Sequence, residues 1–270
     1  MSLIFKKIFA ALALTAAFTL NFGAAAQQYG DKEYQPSVGQ EGKDVIWVPT
    51  PNELIAKMLD MAKLTPQDIH FDLGSGDGRT VIAAAKRGAN ATGVEFNPDM
   101  VALSNRSAQR EGVASKVKFI NADIFKTDFS NATVITLYLL PSLNLKLRPI
   151  ILGMKPGTRV VSHAFTMGEW EADETANVEG RTAYFWVVPA KVEGNWRIEG
   201  GGAGDLSLKQ EFQKVSGSAG GKAITSASLR GDVISFSVDG REYSGRVSGD
   251  RMEGTVKGAS AGKWSATRAR

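Results

Sequence analysis

The run Ile69-His-Phe-Asp-Leu-Gly-Ser-Gly-Asp-Gly-Arg-Thr-Val-Ile-Ala-Ala-Ala-Lys86 constrains the fold more than any other part of the chain. Ile69, Phe71 and Leu73 read as a short buried strand, with Asp72 near its C-terminal end. Gly74, Gly76 and Gly78 recur at alternate positions, where a backbone without Cβ atoms can turn sharply and approach a ligand. From Arg79 to Lys86 the residues are good helix formers with one apolar face. A strand, a Gly-rich turn and a helix N-terminus in that order open a doubly wound α/β domain. Taken alone, the run is also compatible with an ordinary βα turn.

The neighbouring segments continue the alternation. A helix with Leu54, Ile55, Met58, Leu59, Met61 and Ala62 on one face precedes the run, and Asn52 is its expected N-cap. Strands are expected at 91–96, 117–120, 134–140 and 158–163, the fourth ending at Pro141. Helices are expected from Asn97 to about Glu111, and around Leu143, Leu147 and Ile151. This pattern implies a parallel sheet with right-handed crossovers. It brings Asp72, Glu95, Asp123 and Tyr138 to the C-terminal edge of the sheet, where such folds bind ligands. An acid about twenty residues beyond the glycine loop is where a fold of this class bonds a ribose hydroxyl pair, and Glu95 stands there. The spacing is G-x-G-x-G with a preceding acid, which suits the ammonium of S-adenosylmethionine (SAM) better than a pyrophosphate. SAM is the expected cofactor.

Several chemistries are excluded. The chain of 270 residues has no cysteine, so disulfides, thiolate metal sites and cysteine nucleophiles are absent. With His70 and His163 as its only histidines, a histidine-rich metal site is absent too, and no metal is expected. A net charge of +4, with Lys and Arg scattered, gives no reason to expect a nucleic-acid partner. At the N-terminus, Lys6 and Lys7 precede an apolar run over 8–22 and an Ala24-x-Ala26 ending. This describes a signal peptide over 1–26, cleaved after Ala26, and an exported, periplasmic protein. An uncleaved membrane anchor is the alternative. Residues 27–43 read as a flexible leader and 44–193 as the α/β domain.

From 194 to 270 the pattern changes to short alternating stretches separated by Gly231-Asp232, Asp239-Gly240 and Gly249-Asp250. These are hairpin signals, and they predict a small antiparallel β meander or barrel with Trp196 and Trp264 inside.

Pro49-Thr-Pro51, Asp72-Leu-Gly-Ser-Gly-Asp-Gly78, Gly93-Val-Glu95-x-Asn97-Pro98, Tyr138-Leu-Leu-Pro141 and Lys155-Pro-Gly-Thr-Arg-Val-Val161 together resemble the class I SAM-dependent methyltransferases. More narrowly, they resemble the small membrane-associated protein-lysine N-methyltransferases of mitochondria and their bacterial relatives. The resemblance covers residues 44–165 and implies a Rossmann-like sheet, SAM as cofactor and a protein lysine as methyl acceptor. It implies that Asp72, Gly74, Ser75, Gly76 and Gly78 hold the methionine part of SAM. Glu95 takes the ribose, Phe96 and Asn97 lie beside the adenine, Asp123 meets its amino group and Ile124 its face. Tyr138 and Pro141 stand where such enzymes line the acceptor channel, and they are the candidate catalytic residues.

The implied chemistry is in-line attack of a neutral amine on the sulfonium methyl, with the enzyme positioning and desolvating the reactants. His163 is a candidate base or a structural hydrogen-bonding residue, and His70 is expected to be inert. Glu169, Trp170, Glu171 and Asp173 read either as an acceptor-side loop or as an ordinary solvated one. An export signal on a SAM enzyme also leaves a second reading open, an exported non-catalytic binding protein with the C-terminal β module as its recognition surface.

Overall fold

A computed structural model of the chain describes residues 29–258 and 261–269. The expected signal sequence and its cleavage site lie outside the described residues.

The first sheet has β1 (Ile69–Leu73), β2 (Asn90–Glu95), β3 (Val117–Asn121), β4 (Val134–Leu137), β5 (Arg159–His163), β6 (Glu174–Val178) and β7 (Arg181–Val187). Their order is β3-β2-β1-β4-β5-β7-β6. β1 to β5 are parallel, while β7 is antiparallel to both β5 and β6. Helices α1 (Asn52–Met61), α2 (Arg79–Lys86), α3 (Pro98–Arg110) and α4 (Pro141–Leu152) accompany the sheet. Leu54, Ile55, Met58 and Leu59 of α1 are buried, as their spacing predicts. The expected N-cap at Asn52 is one residue late. Pro51 holds the cap position, at φ −61° and ψ 147°, and no side chain caps the helix. The fixed φ of proline sets the extended entry that a capping side chain would otherwise stabilise.

The fourth strand also ends sooner than predicted. β4 stops at Leu137, where its pairing with Leu73 of β1 and Ser162 of β5 runs out. Residues 138–140 are a loop, and Pro141 opens α4 rather than closing a strand. Its missing N–H costs nothing at the first helical position. Tyr138 is therefore carried on a loop.

The C-terminal sheet has nine antiparallel strands. They are β8 (Gly194–Gly200), β9 (Leu206–Glu211), β10 (Lys214–Ala219), β11 (Lys222–Ala223), β12 (Thr225–Arg230), β13 (Val233–Val238), β14 (Arg241–Ser248), β15 (Arg251–Lys257) and β16 (Gly262–Arg268). The order β11-β10-β9-β8-β16-β15-β14-β13-β12 curls until β10 faces β12, a nearly closed barrel. The three predicted hairpin turns join β12 to β13, β13 to β14 and β14 to β15. Asp239 and Gly240 both take positive φ, at 53° and 72°, as a two-residue hairpin turn requires. Trp196 and Trp264 are buried inside. Phe236 stacks on Tyr243 at 4.9 Å, and both meet Trp264 edge-on.

The two sheets are joined through Trp170, which is fully buried. Its ring packs 5.9 Å from Trp186 of β7 and 6.3 Å from Phe212 of the β9–β10 turn. Glu171–Lys214 and Glu174–Arg230 ion pairs flank this contact. Trp170, Glu171 and Asp173 thus sit at the joint between the sheets. Replacing Trp170 with alanine is expected to cost about 3–5 kcal/mol, as for other buried aromatics, read as a lower urea midpoint.

Candidate active site

The C-terminal edge of the parallel strands opens into one cleft of about 710 Å³, within the usual range for small-molecule sites. Its floor is the glycine loop. Gly74, Gly76 and Gly78 have φ of 83°, 53° and 79°, values that glycine alone adopts without strain. The Gly74 and Ser75 N–H groups both donate to the Val94 carbonyl, at 2.9 and 3.0 Å, which ties the loop to β2. The Ser75 hydroxyl is buried without a partner and occupies space left by the missing side chain of Gly93. Ser75 lines the cleft, so its place there rests on the loop's conformation more than on its hydroxyl.

Two acids stand over this floor. Asp72 is buried at the end of β1, and its Oδ1 accepts a 2.6 Å hydrogen bond from the Thr136 hydroxyl. Burial, with Glu95 and Asp77 nearby, pushes its pKa up to about 7 despite the help of Thr136 and Thr80. Such a group is a poor carboxylate near neutral pH unless a cation stands beside it. Glu95 at the end of β2 accepts from the Gly76 N–H and the Asn97 N–H, both at 2.9 Å. A carboxylate has about four lone-pair positions, so Glu95 retains capacity for hydroxyl donors.

Asn97 lines the cleft, but its side chain caps α3 by accepting from the Asp99 N–H at 2.9 Å. Phe96 and Ile124 line the cleft as well, with Phe96 51% exposed.

The leader expected to be flexible packs on the domain from Tyr29 onward, and the segment 40–50 lines the cleft. Arg106 of α3 grips Asp31 through Nε at 2.7 Å. The Gly39 N–H donates to the Trp47 carbonyl at 2.8 Å, and the Trp47 N–H donates to the Gln40 carbonyl at 2.9 Å, closing a strap over 39–47. Trp47 lies on the glycine loop, and a Cβ on Gly76 would fall 2.6 Å from its Nε1. Lys43 reaches Asp123 at 2.7 Å and sits 5.0 Å above the Phe96 ring. That contact, with the Phe125 N–H, holds the Asp123 carboxyl below its usual range. The strap ends at Thr50, whose hydroxyl lies 3.1 Å from His163 Nδ1.

At the other end of the cleft, Tyr138 stacks on His163 at 3.8 Å and lies 6.2 Å from Phe165. Burial raises the Tyr138 phenol pKa and lowers that of His163 to about 4, so both are neutral near pH 7. His163 is therefore a structural partner of Thr50 and Tyr138 more than a base. Pro141, expected in this wall, is exposed at the start of α4 and does not line the cleft; Leu140 and Leu143 do.

Lys43, Trp47, Thr136 and the 2.6 Å ion pair of Asp77 with Arg79 do not stand out in the sequence. The one signal for the strap is that residues 44–51 read as extended, through the bias that Pro49 and Pro51 place on their predecessors. Among the described residues, no group of three or more His, Asp or Glu side chains is placed to hold a metal.

Residues 72–174 match the ANTKMT methyltransferase domain family. A protein-lysine N-methyltransferase of Saccharolobus islandicus is 38% identical over 151 residues, covering 53% of this chain and 94% of that protein. The adenine nucleotide translocase lysine N-methyltransferase of Mus musculus is 36% identical over 102 residues, and the match spans 37% of this chain and 44% of that protein. Among solved structures, an RNA methyltransferase of Salinibacter ruber in complex with S-adenosylhomocysteine is 48% identical. It superposes with a TM-score of 0.53 over 54% of this chain and 96% of that one.

With a strained backbone and a displaced Trp47, Gly76→Ala is expected to cost about 1–3 kcal/mol of local strain. Cofactor affinity should fall about tenfold or more while the far-ultraviolet spectrum is unchanged. Calorimetry and tryptophan fluorescence read the two effects.

Proposed function

Because the chain belongs to the protein-lysine N-methyltransferases, a family of class I SAM-dependent methyltransferases, we propose that it transfers a methyl group in line to the neutral amine of a protein lysine. The observation that carries this reading is Asp72, a buried acid flanked by Glu95 and Asp77 in a glycine-floored cleft. That arrangement suits a cationic ligand with an ammonium group and a ribose.

When bound, SAM supplies a methyl group on a sulfonium, which leaves without acid assistance. The residues then have positioning and desolvation to do. Asp72 would accept from the ammonium, and the loop of Gly74, Gly76 and Gly78 would admit the methionine part close to its backbone. Glu95 would take the ribose hydroxyls with its remaining lone pairs. Asp123, Phe96 and Ile124 would border the adenine. Tyr138, Phe165, Leu140 and Leu143 keep water from the methyl and its acceptor.

A lysine must enter this wall as a free amine. Aromatic surroundings lower an amine's pKa, and so does Arg181, whose charge already acts on Tyr138 and His163. No residue is needed as a strong base, since the proton goes to water before the amine enters.

The named relatives support protein lysine as acceptor, and the Salinibacter enzyme makes RNA the alternative to test beside it. The N-terminal sequence supports export with cleavage after Ala26, or anchoring by an uncleaved 1–26 segment.

Titration with SAM and S-adenosylhomocysteine should show binding that Asp72→Asn weakens by about a hundredfold, the loss of a charge-assisted bond. The pH dependence has a definite sign. Below about 7 the empty site holds a proton on Asp72 that the ammonium must displace. Affinity should therefore fall as pH drops, by up to about tenfold per unit. It should fall again above about 8 as the ligand amine deprotonates. Label transfer from methyl-labelled SAM to lysine-containing protein, but not to RNA, is the expected acceptor result; label on RNA alone overturns the lysine reading.

A further inference from the structure

Behind Asp72 lies a buried chain of hydrogen bonds that the cofactor does not touch. His70 and Asp72 are two residues apart on β1, so both side chains leave the same face and meet Thr136 of β4. The His70 Nε2 lies 2.9 Å from the Thr136 Oγ1, and that hydroxyl is 2.6 Å from the Asp72 Oδ1. All three residues are buried, His70 and Thr136 completely. The His70 Nδ1 has no partner.

The Thr136 hydroxyl has one proton. Facing an ionised Asp72, it must donate that proton to the carboxylate, and its oxygen can then only accept from His70. We propose that His70 and Thr136 are positioning residues: His70, fixed as the Nε2–H tautomer, orders the Thr136 hydroxyl, which orients the Asp72 carboxylate toward the cofactor ammonium. The opposite tautomer would set lone pairs of His70, Thr136 and Asp72 against one another, and would bury an unpaired N–H on Nδ1.

The surrounding charges set the load that the Thr136 hydroxyl has to offset. Asp72 faces Glu95 from β2 and Asp77 from the glycine loop, both disfavouring its ionised form, with Thr80 of α2 and Thr136 of β4 supporting it. His70 has Asp68 nearby, but Asp68 is already engaged by Thr65, Thr133 and Arg159. Burial keeps the His70 ring neutral, with its pKa lowered to about 3, so His70 acts through its tautomer and carries no charge. Without the Thr136 hydroxyl, Asp72 would hold its proton more tightly, and cofactor binding would begin at higher pH.

This inference rests on Asp72 as the ammonium ligand, and two measurements separate its failure from that reading's failure. The first is the nitrogen NMR spectrum of the two histidines in the full cofactor-free protein between pH 5 and 9, with the tautomer read at pH 9, where Asp72 is ionised. A protonated Nε2 and a bare Nδ1 at pH 9, and no charging of His70 down to pH 5, are expected; an Nδ1–H tautomer at pH 9, or titration near the ordinary histidine pKa, overturns the proposal. The second is the pH profile of S-adenosylhomocysteine binding. Thr136→Val should move its midpoint up by about one unit and weaken binding about fivefold at pH 7, with Thr136→Ser restoring both. His70→Leu should act in the same direction and His70→Gln, which keeps an N–H donor, should not. Wild-type binding with unshifted profiles in folded Thr136→Val and His70→Leu overturns the positioning role alone. Absence of wild-type binding sinks the cofactor reading, while the tautomer measurement still decides the hydrogen-bond order.

Discussion

A carboxylate buried at the end of the central strand is costly, and much of the cleft can be understood as the means by which that cost is met. Asp72 is largely shielded from water, and its neighbours Glu95 and Asp77 carry the same sign. Hydroxyl donors from α2 and β4 hold it in place without neutralising it. On the proposed reading, the charge that balances this site is the ammonium of the cofactor. A recognition site of this kind discriminates by charge: a neutral adenosine compound gains nothing from Asp72, whereas an ammonium does.

The strap makes the same cleft deep. Without residues 39–50 the glycine loop would form the floor of an open groove. Trp47 over Gly76 and Lys43 between Asp123 and Phe96 turn that groove into a chamber. Asp31, bonded to Arg106 and Arg110, fastens the start of the strap to α3, and Thr50 with His163 fastens its end to β5. One continuous segment thus walls the cleft from Asp123 and Phe96 to His163. The barrel contributes at a distance, by clamping Phe212 on Trp170 behind β7. Through that contact it supports the sheet whose edge carries the site.

The first sheet is legible in the sequence because each βα unit repeats the same pattern and the acids fall at strand ends. Asp72, Glu95 and Asp123 are identifiable for that reason, and the barrel is identifiable from its turn dipeptides. The strap is not, since it is neither helix nor strand and has no apolar period. Pro141 misleads because a proline that ends a strand and one that starts a helix look alike in sequence. Asn97 reads as an adenine neighbour, and the helix claims its side chain as a cap. Thr136 leaves no trace: β4 is buried throughout, so alternation along it cannot reveal which face meets Asp72.

If Asp72 is the group that receives the cofactor's ammonium, binding must exchange one positive charge for another at that carboxylate. Calorimetry of S-adenosylhomocysteine binding at pH 6, repeated in buffers of different ionisation enthalpy, counts the displaced proton directly. Release of about 0.9 proton per ligand is predicted for a group with a pKa of about 7. Binding with no proton released would contradict this role for Asp72 and place the ammonium elsewhere.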